Sequence, residues 1–77
     1  MSRDIRMNLR AVIRDKGYIQ EVIAKKAGIT PMKLSMVLNQ KRKLDANEMI
    51  AICDAIEMTP TELAEYKPVL LKEDEDI

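Results

Sequence analysis

Apolar positions along this chain recur with a period near 3.6 and show no sustained alternation, which predicts helices and no strand. Ile5, Leu9, Val12 and Ile13 fall at i, i+4, i+7 and i+8 and line one face of a first helix, while Arg3, Arg6, Arg10 and Arg14 occupy its other sides. Gly17, just past Lys16, is placed to stop that helix in a left-handed conformation. A second short helix is expected from about Gln20 to Ala27, with Ile23, Ala24 and Ala27 inward and Glu21, Lys25 and Lys26 outward; Gly28 breaks it. Thr30-Pro31 then reads as an N-cap followed by proline at the first helical position, where a missing N–H costs nothing. This third helix should run to about Asn39 and bury Leu34, Val37 and Leu38.

The polar run from Asn39 to Lys43 reads as a loop. Asp45, with Glu48 three residues on, is a capping-box pattern, so these two acids form a helix cap rather than an acid–base pair. The fourth helix they open carries Met49, Ile52, Cys53 and Ile56 as its inward stripe, and Cys53 is accordingly a small buried hydrophobe. Thr59-Pro60 repeats the start signal for a short fifth helix that ends before Pro68. Val69-Leu70-Leu71 is a small apolar patch, and Lys72 to Ile77 is an acidic tail expected to fray. The fold class is therefore all-α, with five helices over residues 1–66. Residues 67–77 follow as a C-terminal extension, and Tyr66 to Leu71 is the candidate dimer element.

At 77 residues there is interior enough for one domain and not for two. Hydrophobic residues at 47% with only two Gly and three Pro mark a folded globule rather than a disordered tail. The longest strictly apolar stretch, Met49 to Cys53, falls far short of the roughly 20 residues of a membrane span. The N-terminus lacks the apolar core of a secretory signal. A single cysteine cannot close an internal disulfide, which fits a reducing, cytoplasmic location. Without histidine, and with one cysteine, neither the usual zinc site nor a His-dependent triad can be built. No enzymatic activity and no cofactor are expected.

The net charge of zero hides a segregation. Residues 1–43 hold eleven Lys and Arg against three acids, a net +8, and residues 44–77 hold two against ten, a net −8. A basic half of this kind suits a polyanion. Within it, residues 20–39 form a helix, a short turn through Gly28 and Ile29, and a second helix, the arrangement of a helix-turn-helix. A helix about 10–12 Å across fits the major groove of B-form DNA, with the shorter preceding helix bracing it across the backbone. Ala24 is small enough for the two helices to approach closely, and Gly28 permits the turn.

Gln20-x-x-Ile23-Ala24-x-x-Ala27-Gly28-Ile29-Thr30, then Leu34-Ser35, Met49-x-x-Ile52 and Thr59-x-x-Glu62-Leu63, together resemble the lambda-repressor-like, Cro/C1 (XRE) family of helix-turn-helix DNA-binding domains. The resemblance covers roughly residues 6–65. It implies a five-helix domain, usually dimeric on DNA, that acts as a phage or bacterial transcriptional regulator. It also implies roles for individual residues. Gln20 matches a glutamine that contacts a phosphate, and Thr30 starts the recognition helix. Pro31, Met32, Lys33 and Met36 occupy positions that reach base edges or nearby phosphates, with Ser35 and Asn39 as further hydrogen-bonding candidates. Lys41, Arg42 and Lys43 match a loop that touches the DNA backbone, and Arg10 or Arg14 are lesser phosphate candidates on an otherwise solvated arginine face.

Three departures from the family pattern stand out. Leu38 and Gln40 replace a frequent Glu and a frequent Gly, so the recognition helix is expected to end differently, and Glu57 stands where a Gly commonly ends the fourth helix. Pro and two Met stand where the family reads bases with Gln, Asn, Ser, Arg or Lys; directional donors and acceptors discriminate bases, so modest or spacing-dependent specificity is expected. The expected partners are double-stranded DNA and a second copy of the chain, with no membrane. The alternative is an antirepressor or adaptor of the same fold that uses the Met-bearing face to bind another regulatory protein.

Overall fold

The computed structural model describes residues 4–69. Five helices follow in order: α1 (Ile5–Asp15), α2 (Gln20–Ala27), α3 (Pro31–Leu38), α4 (Ala46–Ile56) and α5 (Pro60–Ala64), with no strand among the described residues. Arg3, Leu70, Leu71 and the acidic tail lie outside that range.

Each boundary has a local cause. The Asp4 carboxylate accepts from the Arg6 amide at 2.9 Å and opens α1. Gly17 at φ +69° closes it, with the Tyr18 amide donating back to the Ile13 carbonyl at 3.0 Å. Gly28, at φ +73°, ends α2 in the same way. The Thr30 hydroxyl accepts from the Lys33 amide at 3.1 Å, with Pro31 in the first turn of α3. Asp45 and Glu48 form the reciprocal capping box, and Thr59 and Glu62 form a second one at the start of α5.

The expectation that α3 would end differently without its glycine is not met. Gln40 takes φ +60° and Glu57 φ +58°, the left-handed conformation a glycine would adopt, and Lys41 and Met58 donate back to Met36 and Cys53 at 2.8 and 3.0 Å. The closures are those of a glycine C-cap, held here at the steric cost of a Cβ, about 1–2 kcal/mol per residue.

The core is formed by Leu9, Val12, Ile23, Leu34, Val37, Ile52, Ile56 and Leu63, with Leu38 and Cys53 at its edge. Met49 and Ile5 are half-buried against it. Burial pushes the Cys53 thiol pKa up, which makes it unreactive. Ala24 is fully buried, so α2 and α3 approach closely at that point. α4 packs against α2 and α5 against α1, while α1 and α2 support α3 from behind.

Arg6 departs from the solvated face expected of it. Its guanidinium pairs with Asp4 at 2.6 Å and donates to the Arg42 carbonyl at 3.1 Å. Gln40 adds a 3.3 Å bond from its side-chain amide to the same Asp4. The N-terminus of α1 thereby clamps the loop that follows α3. Thirty-six residues separate these partners, a distance at which helical periodicity carries no information.

Candidate nucleic-acid interface

Thr30 and Pro31 set the start of α3, and the burial of Leu34, Val37 and Leu38 sets its rotation. Pro31, Met32, Lys33 and Met36 are therefore turned to solvent; Met32 is 74% exposed and Met36 38%. Ser35 is half-buried. Asn39, one turn further on, is exposed and donates from Nδ2 to the Ser35 carbonyl at 2.9 Å, which orients its Oδ1 toward α1. Arg10 donates to that Oδ1 at 3.5 Å.

Lys33, Lys41 and Lys43 are exposed and make no ion pair among the described residues. Arg42 differs from its neighbours. Its Nη1 donates to both Glu48 carboxylate oxygens, at 2.9 and 3.0 Å, and the guanidinium holds the Glu48 carboxyl below the usual carboxylate range. The loop therefore presents two free ammonium groups around an arginine tied to α4. A charged residue inside the capping pattern was the only sequence signal for this pairing.

Gln20 lies half-buried in a cleft of about 480 Å³ between the C-terminal half of α1, the start of α2 and the end of α3. Arg10, Arg14, Tyr18, Leu38 and Asn39 share its walls. α2 is also the only helix among the described residues whose N-cap, Ile19, offers no side-chain acceptor. Two guanidiniums and Gln20, at the N-terminus of α2, thus border one opening, an arrangement suited to an anion. The structure brings Gln20 and Asn39 together here with two arginines that the sequence ranked lower.

The exposed face of α3, this cleft at its C-terminal end and the Lys41 and Lys43 ammonium groups of the loop that follows make up the candidate contact surface. Residues 8–69 match the Cro/C1-type HTH DNA-binding domain. The chain belongs to that family. Among solved structures, this Cro/C1-type domain is similar to the restriction-modification controller protein C.AhdI from Aeromonas hydrophila, at 24% identity and a TM-score of 0.72 over 77% of this chain and 89% of that one. It is also similar to the DNA-binding domain of the P22 c2 repressor, at 16% identity and a TM-score of 0.74 over 82% and 83% of the two chains. For the restriction-modification controller protein C.Esp1396I the values are 20% and 0.72, over 95% and 91%. At these identities the likeness carries the fold. No curated protein sequence matches the chain.

Membership makes this a helix-turn-helix DNA-binding regulator, and the family is not a class of enzymes. No helix among the described residues is long and apolar enough to cross a membrane.

Proposed function

We propose that this Cro/C1-type domain is a cytoplasmic transcriptional repressor, phage- or prophage-like, that lays residues 31–39 into the major groove of its operator as a homodimer. The observation that carries the reading is the rotation of α3. Its apolar residues are sealed in the core while Pro31, Met32, Lys33 and Met36 stand outward, with the arginine-lined cleft and the Lys41 and Lys43 loop at the end of the same helix. Lys33 is the main base reader, with Ser35 and Asn39 as weaker donors and acceptors and the two methionines touching thymine methyls. Gln20, with Arg10, Arg14 and the uncapped start of α2, holds one phosphate, and Lys41 and Lys43 hold others. Arg42 keeps that loop in place through Glu48. The similar structures, two controller proteins and a repressor's DNA-binding domain, support a regulatory role.

Dimerisation follows from size, because one recognition helix buries too little surface for nanomolar specific binding. The Tyr66 to Leu71 segment is the proposed contact: Val69 is exposed at the end of the described residues, and Leu70 and Leu71 extend the apolar run. Selection of bound duplexes from a random pool tests the proposal. A palindrome with half-sites about one helical turn apart is expected, and the absence of any enriched sequence would refute it. With three to five phosphates per protomer, log K should fall with log salt at a slope of roughly −5 to −9.

The exposure of Met32 and Met36 favours one second reading, an antirepressor or adaptor that applies this face to another regulatory protein. Gel shift against random duplex at low salt separates the two. Retardation supports the DNA reading, and none at tens of micromolar supports the adaptor.

A further inference from the structure

Asp15 is the last residue of α1, where the helix dipole disfavours a negative charge, and its side chain is only 7% exposed. A carboxylate in that position needs partners, and it has three. Its Oδ2 accepts from the Tyr66 hydroxyl at 2.7 Å and from the Val69 amide at 3.0 Å. Its Oδ1 accepts from Arg14 Nε at 3.0 Å. Pro68, between the first two donors, is buried, so the segment after α5 is packed down where it meets Asp15.

The third partner belongs to the cleft. Arg14 lines it together with Arg10, one turn earlier on the same helix. Like charges four residues apart on a helix repel, and an exposed arginine left to itself turns out to water. Asp15 is the ion-pair partner of Arg14 among the described residues. It engages Nε and leaves both Nη groups of the planar guanidinium to an anion.

We propose that Asp15 is a positioning residue for phosphate binding: held by Tyr66 and Val69, it fixes the Arg14 guanidinium at the cleft. This rests on the reading of that cleft as a phosphate site. The segment after α5 thereby acts on DNA affinity through Arg14, although Tyr66 lies 51 residues from Asp15 in the chain. The sign of the effect separates this role from that of a plain charge. A carboxylate beside a phosphate site repels DNA, so neutralising it tightens binding if it does nothing else. Neutralising a carboxylate that holds an arginine in place weakens binding.

The test measures the affinity of the full chain for random duplex by fluorescence anisotropy across a salt series. The variants are Asp15→Asn, Tyr66→Phe and Arg14→Gln, with the first two also combined with the third. Thermal unfolding fixes a temperature at which each form is folded. Arg14→Gln should weaken binding and reduce the magnitude of the salt slope by about 1 per protomer. Asp15→Asn is expected to weaken binding about fivefold at low salt, and Tyr66→Phe, which alters no charge, about twofold. In the Arg14→Gln background neither should weaken it further.

Unchanged or tighter binding in Asp15→Asn overturns the proposal. So does a loss that persists with Arg14 already replaced, because that loss comes through the fold or through assembly. Unchanged binding in Tyr66→Phe overturns the part assigned to the segment. Should Asp15→Asn not fold, Tyr66→Phe and its combination with Arg14→Gln decide. If Arg14→Gln itself binds like the parent, the cleft is not a phosphate site, and the reading beneath the proposal fails with it. The free protein gives an independent readout: the Arg14 Nε–Hε resonance should shift in Asp15→Asn, and an unshifted resonance overturns the contact.

Discussion

Arg42 and Glu48 form an ion pair in which one guanidinium nitrogen donates to both carboxylate oxygens, at 2.9 and 3.0 Å. The same Glu48 accepts from the Asp45 amide at 3.3 Å and so completes the cap of α4. One side chain thus ties the loop after α3 to the start of α4. Arg6 holds that loop from the other side through the Arg42 carbonyl.

Arg42→Ala should therefore lower the Tm by a few degrees and weaken binding to all duplex sequences alike, through a loosened loop. Lys43→Ala should leave the Tm unchanged and reduce the magnitude of the salt slope by about 1 per protomer. Thermal unfolding and anisotropy titrations check both. An unaltered Tm in Arg42→Ala would mean that the pair with Glu48 does not brace the loop.

Lys33 separates base reading from stability. The Thr30 cap uses the Lys33 backbone amide, so Lys33→Ala leaves the cap intact. Binding to the selected operator should weaken by about 1–3 kcal/mol with relaxed preference at one base position, while unfolding is unchanged. Equal weakening on operator and random duplex would move Lys33 to the phosphate-contacting group.

Gln40 and Glu57 adopt left-handed backbone conformations without being glycine. Glu57→Gly should stabilise the domain by about 0.5–1 kcal/mol, the relief of the Cβ clash less the added freedom of glycine in the unfolded chain. It also removes a negative charge from the C-terminus of α4, where the helix dipole disfavours it. Gln40→Gly should gain less, because it forfeits the 3.3 Å bond to Asp4. Chemical denaturation gives the order directly, and a net loss in Glu57→Gly would contradict the strain argument.

The Asp15 carboxyl is held at about 2, below its ordinary 3.8, by the Val69 amide and the Tyr66 hydroxyl, with Arg14 adding to both. Its lowered value means that the ionised form stabilises the fold. That contribution is complete above pH 3.8 and fades as pH falls toward 2. Tyr66 is pushed up to about 12, by burial and then by Asp15, so its neutral form is the stabilising one and its contribution is lost as pH rises from 10 through 12. Exchange of the Val69 amide should accelerate at both ends. Asp15→Asn should abolish the acid limb of that local profile even though Asp4 and Glu48, also held low, still loosen the domain in acid. Persistence of the acid limb in Asp15→Asn would remove Asp15 from this role.

Local physics made most of the fold legible from the residues alone. Helical periodicity, Thr-Pro starts, the Asp45–Glu48 box and Gly17 and Gly28 each act within a turn or two of chain. The described helices begin and end within a residue or so of the positions those signals indicate. The outward residues of α3 follow from the same periodicity, since burying Leu34 and Val37 leaves only one face free. What the sequence could not assign were polar roles fixed by partners far along the chain. Asn8 falls beside the apolar stripe and is 1% exposed; its Nδ2 donates to the Leu63 and Ala64 carbonyls at 3.0 and 3.1 Å and satisfies the end of α5. Arg6, Arg42 and Asp15 likewise carry charges that composition counts as surface. Packing decides whether each charge meets a partner or water, because a hydrogen bond needs its two atoms within about 3 Å and that proximity exists only after the helices have assembled.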